Sequence, residues 1–148
     1  MTKKQFKHDF FCGLGSALLE LKACESPQRY YDIVLYSCLH NTTYDMQCEG
    51  DRGWYLYQAA RLVGEKEAIE SAVIQKFFQI RENYSLFNQI TSILYHFAME
   101  GSETARAVLY QCKCSIAGTC GTLMDCSPAS IRWTITFISS VLQKRFLI

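Results

Sequence analysis

Along the first three quarters of the chain, apolar residues recur at three- and four-residue steps, the spacing that lines one face of an α-helix. Phe6, Phe10, Leu14, Ala17, Leu18 and Leu21 form the first stripe and predict a helix over 4–24. Ser26 and Pro27 then read as a helix cap followed by a proline at the first helical position. Tyr31, Val34, Leu35 and Cys38 supply the apolar face of the second helix, which is expected to stop near Asn41. A third helix is predicted from an Asp51 cap. Two overlapping sets, Tyr55, Leu56, Ala59, Leu62 and Val63 with Trp54, Tyr57 and Ala60, make it apolar over most of its circumference, as a helix packed on more than one side must be. Gly64 stops it, and a fourth helix from Glu65 carries Ile69, Ala72, Val73, Phe77 and Ile80. The loop "RENYS" leads, with Ser85 as cap, into a fifth helix bearing Leu86, Ile90, Ile93, Leu94 and Phe97, which closes at Gly101. Ser102 caps a sixth, with Ala105, Val108, Leu109 and Cys112 turned inward.

The helices come in pairs that share a loose grammar. "GDRGWYLYQAARLVGEKEAIESAVIQKF" and "YSLFNQITSILYHFAMEGSETARAVLYQ" each read as a helix, a glycine, an acidic first turn and a second helix, with Gly64 and Gly101 lying 37 residues apart. "KHDFFCGLGSALLELKACESPQRYYDIVLYSCLHN" supplies a preceding pair. Helix pairs at such a period are each too thin to bury their own apolar face, and stacking them into an α-solenoid solves that problem. "CEGDRGWYLYQAARLVGEKEAI" and "LFNQITSILYHFAMEGSETARAVLYQ", within residues 38–111, resemble bacterial proteins built from HEAT-like repeats. That resemblance implies a curved stack of antiparallel helix pairs used as a binding surface, and it brings no catalytic residues with it. The expected fold is therefore all-α, a short right-handed α-solenoid of three antiparallel helix pairs over 1–111, followed by an irregular tail.

The tail, 112–148, is written in a different idiom: "CKCSIAGTCGTLMDCSPASIRWTITFISSVLQKRFLI" has four cysteines, no glutamate and a net charge of +3, against −2 for residues 1–111. Ser127-Pro128 starts a helix if Ile131, Ile135, Ile138 and Leu142 share a face, yet Ile131, Trp133, Ile135 and Phe137 alternate as a strand would, and periodicity does not arbitrate. Three readings stand for this segment: a terminal element, a metal-binding appendage, or a shifted frame that truncates a longer repeat array. An apolar last helix would favour self-association.

Composition narrows the function. The formal charge of the 148-residue chain is +1, and the densest basic runs are Lys3-Lys4 and Lys144-Arg145 at its ends. A duplex-binding surface calls for a basic stripe, so a HEAT-like DNA-repair protein gripping duplex DNA is an alternative that the charge disfavours. No apolar run reaches the length of a membrane span. Asp9 and Glu20 interrupt what would otherwise resemble a signal sequence, so a cytoplasmic chain with reduced thiols is expected.

Cys38, His40, Asp45 and Cys48 include the right donors for zinc, but their spacing matches no finger and Cys38 lies on an apolar stripe, so an inter-repeat corner is expected there. Cys38 and His40, two apart, face different ways on a helix and do not pair for catalysis. Cys112, Cys114, Cys120 and Cys126 provide four thiols within fifteen residues, the alternative zinc site. Glu65, Glu67 and Glu70 fall in the first turns of a helix, where acidic groups complement its dipole, and His96 reads as a helix-surface residue. Tyr30, Tyr36, Tyr57, Arg61, Tyr84 and Tyr95 are of the types that anchor protein interfaces but also of those that pack between repeats, which is the expectation for any single one of them; Tyr57 with Arg61, at i and i+4, is the pair expected to line a groove. The expected function is a non-enzymatic protein-binding or scaffold module without a cofactor.

Overall fold

The computed structural model describes residues 1–40, 52–80 and 84–118, and every regular element among them is helical. The order is α1 (Lys3–Cys12), α2 (Leu14–Lys22), a 3-10 turn (Pro27–Tyr30), α3 (Tyr31–Leu39), α4 (Arg52–Leu62), α5 (Lys66–Gln79), α6 (Tyr84–Met99) and α7 (Glu103–Gly118). The all-α expectation stands for this part of the chain.

The first predicted helix is in fact two. Gly13 leaves the helical region at φ −158°, ψ 86°. Its N–H closes α1 on the Asp9 carbonyl at 2.6 Å, while its own carbonyl receives Ala17 N–H at 3.0 Å and opens α2. Apolar periodicity missed the break because Phe6 and Phe10 of α1, and Leu14, Ala17, Leu18 and Leu21 of α2, are all buried in the same core. A stripe records which residues face inward, and glycine leaves a helix at little conformational cost.

Three predicted boundaries shift for local reasons. Ser26 makes no side-chain cap bond, and Pro27 opens a 3-10 turn before α3 begins. The turn is held instead by Tyr30, which is fully buried with its ring 4.2 Å from Phe6, and by the Met1 carbonyl, which accepts from Tyr30 Oη at 3.2 Å and Arg29 Nη2 at 3.0 Å. Helix α6 starts at Tyr84, one residue before the predicted Ser85 cap. The Asp51 cap lies outside the described residues. Ser102, by contrast, caps α7 as expected: its Oγ accepts Ala105 N–H at 3.1 Å and also donates to Glu70, tying α7 to α5.

Glu65 is the third shift. Gly64 adopts φ 75°, the left-handed conformation that ends many helices, and Glu65 follows it at φ 46°, before α5 rather than in its first turn. Its carbonyl accepts Ala68 and Ile69 N–H, but its side chain caps nothing. A left-handed non-glycine residue carries roughly 1–2 kcal/mol of strain, which asparagine tolerates better. Glu65→Asn is therefore expected to raise the unfolding free energy by about 0.5–1 kcal/mol in urea titrations; an unchanged or lower midpoint would place Glu65 in an ordinary conformation.

Alternate helices pack on one another in two rows, α2 on α4 on α6 and α3 on α5 on α7, and the rows meet where α3 touches α4, α5 touches α6 and α6 touches α7. α4 is buried around much of its girth, at Gly53, Leu56, Tyr57, Ala59 and Ala60, which matches its two overlapping apolar sets. α6 touches α3, α4, α5 and α7 and buries Ile90, Ile93, Leu94 and Phe97 in the middle of the core. α7 runs without a break across position 112, where the sequence idiom changes. Among the described residues, no helix is long and apolar enough to cross a membrane.

Candidate functional site

The residues singled out from sequence do not converge on one place. Cys38 is fully buried between α3 and α4, with its Sγ 3.9 Å from the Leu56 carbonyl, and burial pushes its thiol up to about 12. A thiol so held stays protonated at physiological pH, whereas a zinc ligand or nucleophile must be a thiolate. His40 caps the end of α3 and lies against Tyr36, ring centres 4.4 Å apart. Asp45 and Cys48 fall outside the described residues. Of the tail cysteines, Cys112 and Cys114 belong to the backbone of α7, while Cys120 and Cys126 lie outside the described residues. Among the described residues, no group of three His, Cys, Asp or Glu side chains is placed to hold a metal ion.

The expected Tyr57 and Arg61 groove pair needs correcting at Tyr57. Arg61 is exposed, but Tyr57 is 1 % exposed, its ring edge-on to Phe97 at 5.0 Å and stacked with His96 at 5.9 Å. The i, i+4 spacing put the two on neighbouring positions, but α4 is covered on the Tyr57 side by α6. His96 is likewise only half-buried rather than a free surface residue. The Tyr57 hydroxyl has no hydrogen-bond partner among the described residues, and burial, followed by Glu100, holds the phenol above its ordinary pKa. Tyr57 is thus a core residue carrying an unsatisfied polar atom, and leaving such an atom buried costs about 1–3 kcal/mol. Tyr57→Phe should stabilise the fold by about 1 kcal/mol in chemical denaturation. A loss of stability would mean that the hydroxyl is hydrogen-bonded after all.

A different surface collects the groups suited to recognition. α1 is tied beside the start of α3 by the Lys3–Asp32 ion pair at 3.0 Å, and by the bonds of the 3-10 turn to Met1. Between them opens a cavity of about 460 Å³ lined by Lys3, Lys4, Lys7, Phe11, Asp32, Ile33 and Tyr36. Lys3, Lys7 and Phe11 follow one another at i+4, so one face of α1 presents two ammonium groups and then an aromatic ring. Tyr36 is 50 % exposed and meets Phe11 edge-on at 6.3 Å. Among the described residues the result is an aromatic floor with a basic rim, in which the carboxylate of Asp32 is engaged by Lys3.

Outside the groove, α1 also aligns Cys12 Sγ 3.9 Å from His8 Nε2, and His8 Nδ1 3.2 Å from Asp9 Oδ1. A hydrogen bond from Gln5 at 2.9 Å, and then the one from His8, hold the Asp9 carboxyl below its ordinary pKa. The order of groups is that of a nucleophilic array, but Cys12 and His8 stand on the exposed side of a single helix, and among the described residues nothing there positions a substrate.

Sequence reasoning noted Lys3-Lys4 as a terminal basic run and Tyr36 as an available aromatic, and missed that they share a groove. The i+4 spacing of Lys3, Lys7 and Phe11 was the legible signal; the pairing of α1 with α3 was not. Compared with known protein families, with curated proteins and with solved structures, the chain matches none.

Proposed function

We propose that the chain is a non-enzymatic protein-binding module whose helix pairs stack as a short HEAT-like α-solenoid. The two rows of alternate helices support that arrangement, because in a solenoid each pair rests on the next and leaves one row as a continuous outer surface. The observation that carries the function is the placement of the three most exposed aromatics among the described residues: Tyr36 on α3, Phe78 on α5 and Tyr110 on α7 are 50 %, 56 % and 61 % exposed, one on each helix of the same row, while Trp54 on α4 is 38 % exposed. Aromatic side chains left in water cost hydrophobic free energy and are the commonest anchors of protein interfaces. The thiols of Cys12, Cys24 and Cys38 are free, as suits a reducing cytoplasm. Zinc binding through Cys112, Cys114, Cys120 and Cys126, and self-association through an apolar last helix, rest on the sequence pattern alone.

Capture from extract of the native cell tests the reading. A set of proteins retained by the wild-type chain and lost with the combined substitution of Tyr36, Phe78 and Tyr110 by alanine, at unchanged helix content, is the expected result. Equal retention by both chains would sink it, as would sub-micromolar duplex-DNA binding that weakens steeply with salt.

A further inference from the structure

The groove between α1 and α3 has a register that selects its occupant. Successive i+4 positions on a helix rise about 6 Å, so the ammonium groups of Lys3 and Lys7 and the ring of Phe11 are anchored at roughly equal steps along one face. In an extended chain, side chains two residues apart point the same way and lie about 6.5–7 Å apart. The two repeats nearly match. An extended segment laid along α1 can therefore set one carboxylate against Lys3, the next but one against Lys7, and an apolar side chain two further on against Phe11 and Tyr36.

We infer that this groove docks an extended acidic segment of a partner protein, with carboxylates at alternate positions followed by an apolar residue. The inference rests on the binding-module reading and names its partner chemistry. Charge complementarity selects the occupant: among the described lining residues three lysines face one carboxylate, Asp32, which takes up Lys3, and the rim keeps a net +2. The chain's own segment beyond α7, 119–148, is disfavoured as the occupant by its net +2. A nucleic-acid strand fits less well. Among the described lining residues there is no arginine fork, Asp32 would face the phosphates, and Tyr36 already has His40 against its ring. Lysine ammonium groups on a half-exposed aromatic floor instead give a charged rim around an apolar centre, the ordinary anatomy of a protein contact.

Fluorescence anisotropy with the full chain tests this, using a labelled peptide with glutamates at its first and third positions and phenylalanine at its fifth. Its control is the same composition with the glutamates adjacent. The patterned peptide should bind at least about tenfold more tightly than the control and weaken as salt rises. The double variant Lys3→Glu/Lys7→Glu should lose about tenfold or more in affinity, and because Lys3 also pairs with Asp32, Lys7→Glu alone, which leaves that pair intact, should lose several-fold while helix content stays unchanged. Tyr36→Ala should weaken binding without altering the salt slope. Equal binding of both peptides, or an unaffected double variant, would overturn the assignment. So would an oligothymidine strand that displaces the peptide at lower concentration, or lysine-dependent self-association of the chain with no peptide binding. Partner capture that survives the Lys3/Lys7 double variant but is lost when Phe78 and Tyr110 become alanine would remove the groove alone and leave the binding-module reading standing.

Discussion

Gly53→Ala is expected to cost about 3 kcal/mol of stability, more than most single methyl additions to a core. Gly53 is buried on α4 where that helix crosses α6. A β-carbon built on it would sit 2.5 Å from Ser92 Cβ and 2.9 Å from the Ser92 carbonyl carbon, besides striking the hydroxyl. Two of those atoms belong to a side chain, but the third is backbone, so no change of rotamer relieves the contact and the two helices must separate. They cannot do so cheaply, because Leu56, Tyr57 and Ala60 of α4 and Ile93, Leu94 and Phe97 of α6 are buried in the same cluster. Close-packed interiors lose contacts on both sides of such a gap. The conformational effect of alanine works the other way, since alanine favours a helix over glycine by about 1 kcal/mol, so the net loss is smaller than the clash alone. Urea or thermal denaturation reads the outcome. The companion Gly53→Ala/Ser92→Gly removes the side-chain part of the conflict and should recover only a fraction of the loss, because the backbone carbon remains. If the single variant equals or exceeds the wild type in stability, α4 and α6 do not approach as described.

The same contact shows what the sequence could and could not reveal. Apolar spacing found α4 and correctly required it to be packed on more than one side, because burial leaves its mark in every residue that faces inward. It said nothing of Gly53, whose lack of a side chain is silent in a hydrophobic pattern, just as Gly13 was silent between α1 and α2. Glycine entered the reading only where it ended a stripe, at Gly64 and Gly101, both of which do adopt positive φ. Glu65 was misplaced by one residue because its acidity resembles a first helical turn, while its actual conformation is inherited from the preceding turn. At the candidate site the limits are different. Tyr57 fell both in an apolar set and, with Arg61, in a pair expected to line a groove, and whether a tyrosine faces out is decided by the neighbouring helix. The groove escaped notice for the complementary reason: Lys3, Lys7 and Phe11 share a face by spacing, but Asp32 and Tyr36 reach them through contacts between segments, the bonds of Tyr30 and Arg29 to Met1 and the Lys3–Asp32 pair. Local periodicity is written into each segment, whereas contacts between segments depend on how all of them settle together.

Alkaline pH is expected to unfold the protein partly through one sulfur atom. Cys38 is 0 % exposed, and its thiol, about 9.0 in water, is pushed up to about 12 by burial. Below pH 9 the thiol is neutral in both folded and unfolded chains and contributes no pH dependence. Between 9 and 12 the unfolded chain releases this proton and the folded chain keeps it, so the unfolded state binds fewer protons and is favoured as pH rises. Each pH unit in that window should remove about 1.4 kcal/mol of stability, on the order of 4 kcal/mol across the whole span. Tyr31 and Tyr57, both raised by burial, push the same way, so the wild-type curve alone does not isolate the sulfur. Cys38→Ala does. At pH 8 the variant should be the less stable by about 1 kcal/mol, from the lost packing of one small side chain. By pH 10.5 the deficit should have reversed, because the variant lacks the buried acid and keeps every other titrating group. Guanidinium unfolding at four or five pH values gives the two curves, and their difference is the quantity of interest. Parallel curves would mean that the thiol titrates as it does in water, which would in turn open Cys38 to metal binding and return the corner beyond α3 to the list of chemical sites.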